Sequence, residues 1–201
     1  MTQPDAIARF LYEVGHLKHT PRSGWLLAGI DHPESVAEHS FRTAVIGYVL
    51  ASLEGADPAL TAAICLFHDL AETRLGDLPS VGKHYVSQQP AEDVSQDQLR
   101  GVPTPLATRV LSLVSDYSQQ GSAEAQLAKD ADKLECLLQA REYQAQGNPD
   151  VEPWITTSAA SIRSPSGKNL AAACQQVSPG EWWRAFVGTY VQVKPRAVPD
   201  L

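Results

Sequence analysis

"ALTAAICLFHDLAETRLGDLP", residues 59–79, joins an apolar run to an imidazole, His68, and to the carboxylates Asp69, Glu72 and Asp77. At about 100° per residue, a helix from Pro58 to Glu72 is covered over most of its circumference by Ala59, Leu60, Ala62, Ala63, Ile64, Leu66, Phe67 and Leu70. Such a helix belongs in a protein interior. One narrow stripe differs: Thr61, Cys65, His68 and Glu72 at i, i+4, i+7 and i+11, with Asp69 beside it. A buried carboxylate next to a buried imidazole is costly unless the two are paired or bind a metal. An isolated His-Asp dipeptide most often reads as a structural pair at a helix end, where an imidazolium also suits the dipole. The apolar context and the carboxylates that follow favour a metal site.

The rest of the chain reads as all-α. Residues 5–18 carry Ile7, Phe10, Leu11, Val14 and Leu17 at helical spacing. "HTPRSGW" (19–25) breaks that pattern with Pro21 and Gly24. Residues 34–53 resume a helix, with Ala37, Phe41, Ala44, Val45 and Tyr48 on one apolar face. "GADPAL" (55–60) starts the next, with Asp57 as N-cap and Pro58 at the first helical position. Residues 78–105 are rich in Pro, Gln and Ser and predict loop and short irregular helix. A short helix is expected over 105–118. A long one follows in "GSAEAQLAKDADKLECLLQAREYQAQG" (121–147), capped by Ser122, with Leu127, Ala131, Leu134 and Leu138 as core stripe and Gly147 after its end. "SPSG" (164–167) opens an irregular last part, with a helix around "PGEWWRAFVGTYV" (179–191). The expected organisation is a single domain over 1–201, with a core at about 5–145 and a C-terminal helical appendage at about 150–195.

Bulk properties narrow the function classes. The 201 residues are 43% hydrophobic, enough to bury a core. No apolar run reaches membrane-spanning length, and the N-terminus has no basic leader before an apolar block, so a soluble, cytoplasmic chain is expected. Cys65, Cys136 and Cys174 are odd in number and far apart, as free thiols in a reducing compartment would be. A net charge of −7 argues against long nucleic acid. It leaves room for a small phosphorylated ligand held by one or two cations and a metal.

A metal needs more ligands than His68 and Asp69. His39 lies on the preceding helix, in a polar stripe with Ser35 and Arg42, and a hairpin of the two helices would bring it to His68. Asp132, in "AKDADKLECLL", is a fourth candidate. Its neighbours Lys129, Asp130, Lys133 and Glu135 equally suit a solvated face. Two imidazoles and two carboxylates fit Mn, Fe, Co, Zn or Mg without selecting among them.

Together these positions resemble the HD-domain metal-dependent phosphohydrolase superfamily, whose H…HD…D pattern is carried by His39, His68–Asp69 and Asp132. "FLYEVGHLKHTPRSGW", "HPESVAEHSFRTA", "FHDLAETRLGDLP" and "AKDADKLECLLQAREY" are similar, in order, to its 5′-deoxynucleotidase branch, over roughly residues 8–145. The resemblance implies an HD-domain helical bundle that removes the 5′-phosphate from deoxynucleoside monophosphates with one divalent metal ion, as a homodimer. It implies His39, His68, Asp69 and Asp132 as metal ligands, Glu72 and Asp77 as catalytic acids, and Arg22 as a phosphate contact. Trp25 corresponds to a tryptophan that helps exclude the ribose 2′-hydroxyl. One group of relatives has that arginine and tryptophan adjacent, whereas "RSGW" separates them. From the residues alone, Arg22 is a loop arginine and Trp25 a packing residue. Glu34, Ser35 and Lys83 are further candidates for substrate or supporting contacts.

The chemistry suits these groups. A raised Glu72 would protonate the leaving sugar oxygen, and Asp77, in the following loop, would orient the attacking water. Gly76 and Pro79 turn the chain. Rival HD chemistries fit less well. Glu72 is followed by Thr73, not by the acidic partner of stringent-response hydrolases, and His16, His19, His32 and His84 form no second-metal series. A dNTP hydrolase would want a basic cluster, and none is visible along the chain. A non-catalytic nucleotide-binding HD module would be expected to have lost a ligand or an acid.

Overall fold

A computed structural model describes residues 2–187, and among them there is no strand, only an isolated bridge between Pro21 and Ser35. The helices are α1 (Gln3–Val14), α2 (Gly24–Leu27), α3 (Val36–Glu54), α4 (Pro58–Phe67), α5 (Glu72–Leu75), α6 (Ala91–Gln98), α7 (Thr104–Gln119), α8 (Ala123–Ala145), α9 (Glu152–Ser161), α10 (Pro165–Gln176) and α11 (Glu181–Val187). The all-α expectation holds. Caps read from the sequence are present: Asp57 accepts from the amides of Ala59 and Leu60, and Ser122 from that of Ala125. The "SPSG" segment, expected to be irregular, is the capped start of α10: Ser164 accepts from Gly167 N and Pro165 takes the first turn. The end of the 179–191 stretch, from residue 188, lies outside the described residues.

α3, α4 and α8 form the centre. Leu50, Ile64, Leu134 and Leu137 are buried there, joined by Val151, Ile155, Ile162 and Ala171 from the C-terminal segments. A second cluster packs Phe10 of α1 against Leu70, Leu99, Val110 and Val114.

Two expectations fail. The apolar face of α3 is not the face it buries: Phe41, Val45 and Tyr48 are 68, 50 and 54% exposed. α3 instead buries Val36, His39, Ser40, Thr43, Ile46, Gly47 and Leu50. Small residues allow close approach there: a Cβ on Gly47 would stand 2.6 Å from Cys65 Sγ and 3.2 Å from Thr61 Cγ2 on α4. Dispersion gained at such a crossing, and partners for each polar group, outweigh raw hydrophobicity. The second is that α4 ends at Phe67 rather than continuing to Glu72. His68 Nδ1 bonds to the carbonyl of Cys65 (2.5 Å), the acceptor that residue 69 would use in a continuing helix. Tighter bonds follow, from Leu70 N to Phe67 O and from Glu72 N to Asp69 O.

Candidate metal centre and active site

The opposed run of α3 and α4 pairs Gly47 with Thr61 and His39 with His68. The two Nε2 atoms stand 3.3 Å apart, with both imidazoles buried. Asp69 Oδ2 lies 3.0 Å from His68 Nε2 and 3.8 Å from His39 Nε2. α8 adds Asp132, whose Oδ1 is 3.4 Å from His39 Nε2. Cys136, one turn further on α8, also falls within reach of a shared ion with His39 and Asp132.

Both Nδ1 atoms are engaged elsewhere. His68 Nδ1 faces Cys65 O, and His39 Nδ1 faces the fully buried Glu135 carboxylate at 2.5 Å. Such partners fix the tautomer and aim Nε2 at the centre. Two imidazole lone pairs and two carboxylates crowded together call for a positive charge. The titration behaviour says the same. Burial and Arg22 oppose charge on His39, yet Glu135 and Asp132 prevail and raise it to about 10. Burial would raise Asp69, but His68 and Arg22 hold it well below the usual carboxylate range. Asp132 is held low in the same way, against its burial, by His39 and Lys133. The donor set therefore fits a divalent cation.

Glu72 behaves in the opposite sense. Burial, Asp69 and Asp77 push its carboxyl up to about 9, and its Oε2 has no hydrogen-bond partner among the described residues. Arg22 Nη1 lies 3.4 Å from Asp69 Oδ2 and 3.6 Å from Asp77 Oδ1. Its segment is pinned to the start of α3, because Arg22 N donates to Glu34 O and Val36 N to Thr20 O. Asp77 Oδ2 accepts from Ser23 N at 2.7 Å, and Ser23 Oγ donates to Asp77 O.

Above this cluster opens a cavity of about 420 Å³. Arg22, Asp69, Glu72, Asp77 and Asp132 form its charged end, and Lys83, Lys129 and Lys133 also line it. The sequence of the HD domain family matches residues 14–173 of this chain. The chain belongs to the HD-domain family. It is a metal-dependent phosphohydrolase. The human protein named 5′-deoxynucleotidase HDDC2 is 32% identical over 145 residues, 69% of this chain and 69% of the relative. The Schizosaccharomyces pombe protein named 5′-deoxynucleotidase hdd1 is 31% identical over 153 residues, 71% and 75% of the two chains. Among solved structures, the PH0347 protein from Pyrococcus horikoshii OT3 superposes with a TM-score of 0.70 at 28% identity, covering 83% of this chain and 97% of that one.

In this HD-domain protein the four positions of the H…HD…D pattern gather around His39, which shares one possible ion-holding group with His68 and Asp69 and another with Asp132 and Cys136, with Glu72, Asp77 and Arg22 beside them. Trp25 does not join them at the cavity wall. It is 2% exposed, donates from Nε1 to Glu34 Oε1 (3.0 Å), and packs on Tyr143 and Trp154. Ser35 is the N-cap of α3.

Several residues escaped the sequence reading. Glu135 is not a solvated neighbour of Asp132: it lies under the HD cluster, gripped through Oε1 by Arg42 Nε and Nη2 at 2.9 and 2.7 Å. Its place one turn from Asp132 was the available signal. Tyr117 donates to Asp132 Oδ2 (3.0 Å), and Lys133 Nζ stands 3.0 Å from the same atom. The basic cluster absent along the sequence is assembled by the fold, from Arg22, Lys83, Lys129 and Lys133.

Proposed function

We propose that this HD-domain protein releases phosphate from 2′-deoxynucleoside 5′-monophosphates, using one divalent ion held by His39, His68, Asp69 and Asp132. The observation that carries this reading is the convergence of two Nε2 atoms and two carboxylates whose outer atoms are already committed. The names of the human and yeast relatives support the substrate class. The ion, one of Mn, Co, Fe, Zn or Mg, would lower the pKa of bound water and shield phosphoryl charge.

The chain's own groups do the rest. Arg22 offers a fork to phosphate oxygens at the wall. Asp77 braces the Arg22–Ser23 turn and accepts a hydrogen bond from the attacking water. Glu72, whose carboxyl is pushed up by burial, Asp69 and Asp77, gives its proton to the 5′-oxygen as the phosphorus–oxygen bond breaks. Water's oxygen bonds to phosphorus, one of its protons returns Glu72 to its acid form, and nucleoside and inorganic phosphate leave. The free thiols of Cys65, Cys136 and Cys174 suit a reducing cytoplasm. The exposed stripe of Phe41, Val45, Tyr48, Val49 and Leu53 on α3 suits burial against a second copy in a homodimer.

The test is phosphate release from matched deoxy- and ribonucleoside monophosphates by stripped protein with each metal added singly. Release from the deoxy forms in excess of the ribo forms is expected. Silence with every metal overturns the enzyme reading, and equal release overturns the sugar preference. The lysines around the cavity favour one second reading, attack on a nucleoside triphosphate, which pyrophosphate or triphosphate release in the same panel would reveal.

A further inference from the structure

The cavity lining has two kinds of chemistry. Its carboxylates and its one arginine belong to the cluster around the metal ligands, whereas Gly24, Leu27, Leu78, Pro79 and four residues of α9 are uncharged lining. Those four are Trp154, Thr157, Ser158 and Ser161, at i, i+3, i+4 and i+7, one face of one helix. Thr157 and Ser161 spend their hydroxyls on carbonyls of their own helix, Pro153 O and Thr157 O. Ser158 does not. It is 6% exposed and lines the cavity, with no hydrogen-bond partner among the described residues.

Trp154 is the free aromatic surface of this wall. The other lining ring, Tyr117, is already used, with Lys129 Nζ 3.7 Å over its face and its hydroxyl on Asp132. Trp154 is braced from behind by Trp25, at 5.4 Å between ring centroids. Its Nε1 would stand 3.7 Å from a Cβ on Gly24, two residues from Arg22.

Resting on the phosphatase reading above, we infer that α9 is the nucleoside-recognising wall of the site, with the Trp154 indole packing on the base and the Ser158 hydroxyl bonding to the nucleoside's polar edge. Trp25 is then a positioning residue that acts through Trp154. A flat apolar ring accepts any base, so the wall selects for a nucleoside over other phosphomonoesters without choosing strongly among bases.

Steady-state kinetics of Trp154→Ala and Ser158→Ala on 2′-deoxyadenosine 5′-monophosphate and on base-free 2-deoxyribose 5-phosphate test this. For Trp154→Ala the expected loss in kcat/KM is about ten-fold or more greater for the nucleotide than for the sugar phosphate, carried by KM. For Ser158→Ala a rise in nucleotide KM of roughly five-fold is expected, and Trp154→Phe should restore most of the loss. Equal losses on both substrates would show a structural role and overturn the inference, as would an unchanged nucleotide KM. If the unaltered chain releases phosphate from neither substrate, the phosphatase reading itself falls, and the inference with it.

Discussion

Glu135 Oε2 lies 2.5 Å from His39 Nδ1, and both side chains are fully buried. The carboxylate fixes which imidazole nitrogen faces the metal ligands, and Arg42 holds the carboxylate in turn. Glu135→Gln keeps the shape and removes the charge. Metal affinity should fall roughly 10–100-fold, as for other partners of ligating histidines, and activity should return with excess metal. Equilibrium dialysis of the variant against the parent measures this, and unchanged affinity would detach Glu135 from the metal centre.

Glu72 carries the clearest pH signature. Its carboxyl is raised from 4.5 to about 9 by burial, Asp69 and Asp77. As a proton donor it must be protonated, so kcat/KM should fall on an alkaline limb above the ordinary carboxylate range. A bound cation draws that limb below 9. Glu72→Gln should abolish the limb and lower kcat by roughly 10²–10⁴ while metal content stays. The stability sign follows from linkage. The folded chain keeps a proton that the unfolded chain releases, so Glu72 lowers stability increasingly as pH rises from 4.5 to about 9. The metal-free Glu72→Gln variant should therefore melt higher than the parent at about pH 8 and alike at about pH 4.

Arg22 sits between Asp69 and Asp77, its side chain 16% exposed. Lysine would keep the charge and lose the fork. Arg22→Lys should cost roughly 10–100-fold in kcat/KM for a nucleoside monophosphate, with metal affinity close to the parent's. A variant with full kcat/KM would remove Arg22 from phosphate binding.

The α3–α4 crossing tolerates no side chain at Gly47, where a Cβ would meet Cys65 Sγ at 2.6 Å. Gly47→Ala should destabilise by about 1–3 kcal/mol through overpacking, a drop in Tm of roughly 2–12 °C. Because the same two helices set the spacing of His39 and His68, metal affinity should drop alongside. A melt and a metal titration on one preparation read both.

Phe41 and Tyr48 lie on one exposed face of α3, at i and i+7. The double variant Phe41→Asp, Tyr48→Asp should convert a dimer to a monomer in sedimentation velocity without lowering the monomer's melting temperature. A parent that sediments as a monomer would contradict the dimer.

The sequence by itself determined the main helices and the caps of α4 and α8, because spacing and N-cap chemistry are local: Asp57, Ser122 and the α8 stripe appear where the pattern places them. It also singled out His68 and Asp69, polar groups on an otherwise apolar helix, with His39 on the helix before, whereas Asp132 was fixed as a ligand only by the resemblance to the HD family. It did not determine which face of α3 turns inward. That depends on how closely Gly47 lets α4 approach, a property of two helices at once. Nor did it show that His68 would take the Cys65 carbonyl and stop α4. Glu135, Lys129 and Lys133 read as a solvated surface until α8 was set against α3 and α4. Trp25 read as a packing residue from the residues alone and as a sugar contact from the resemblance, and the fold buries it against Trp154. Periodicity reports the character of a helix face, whereas only tertiary packing decides what that face meets.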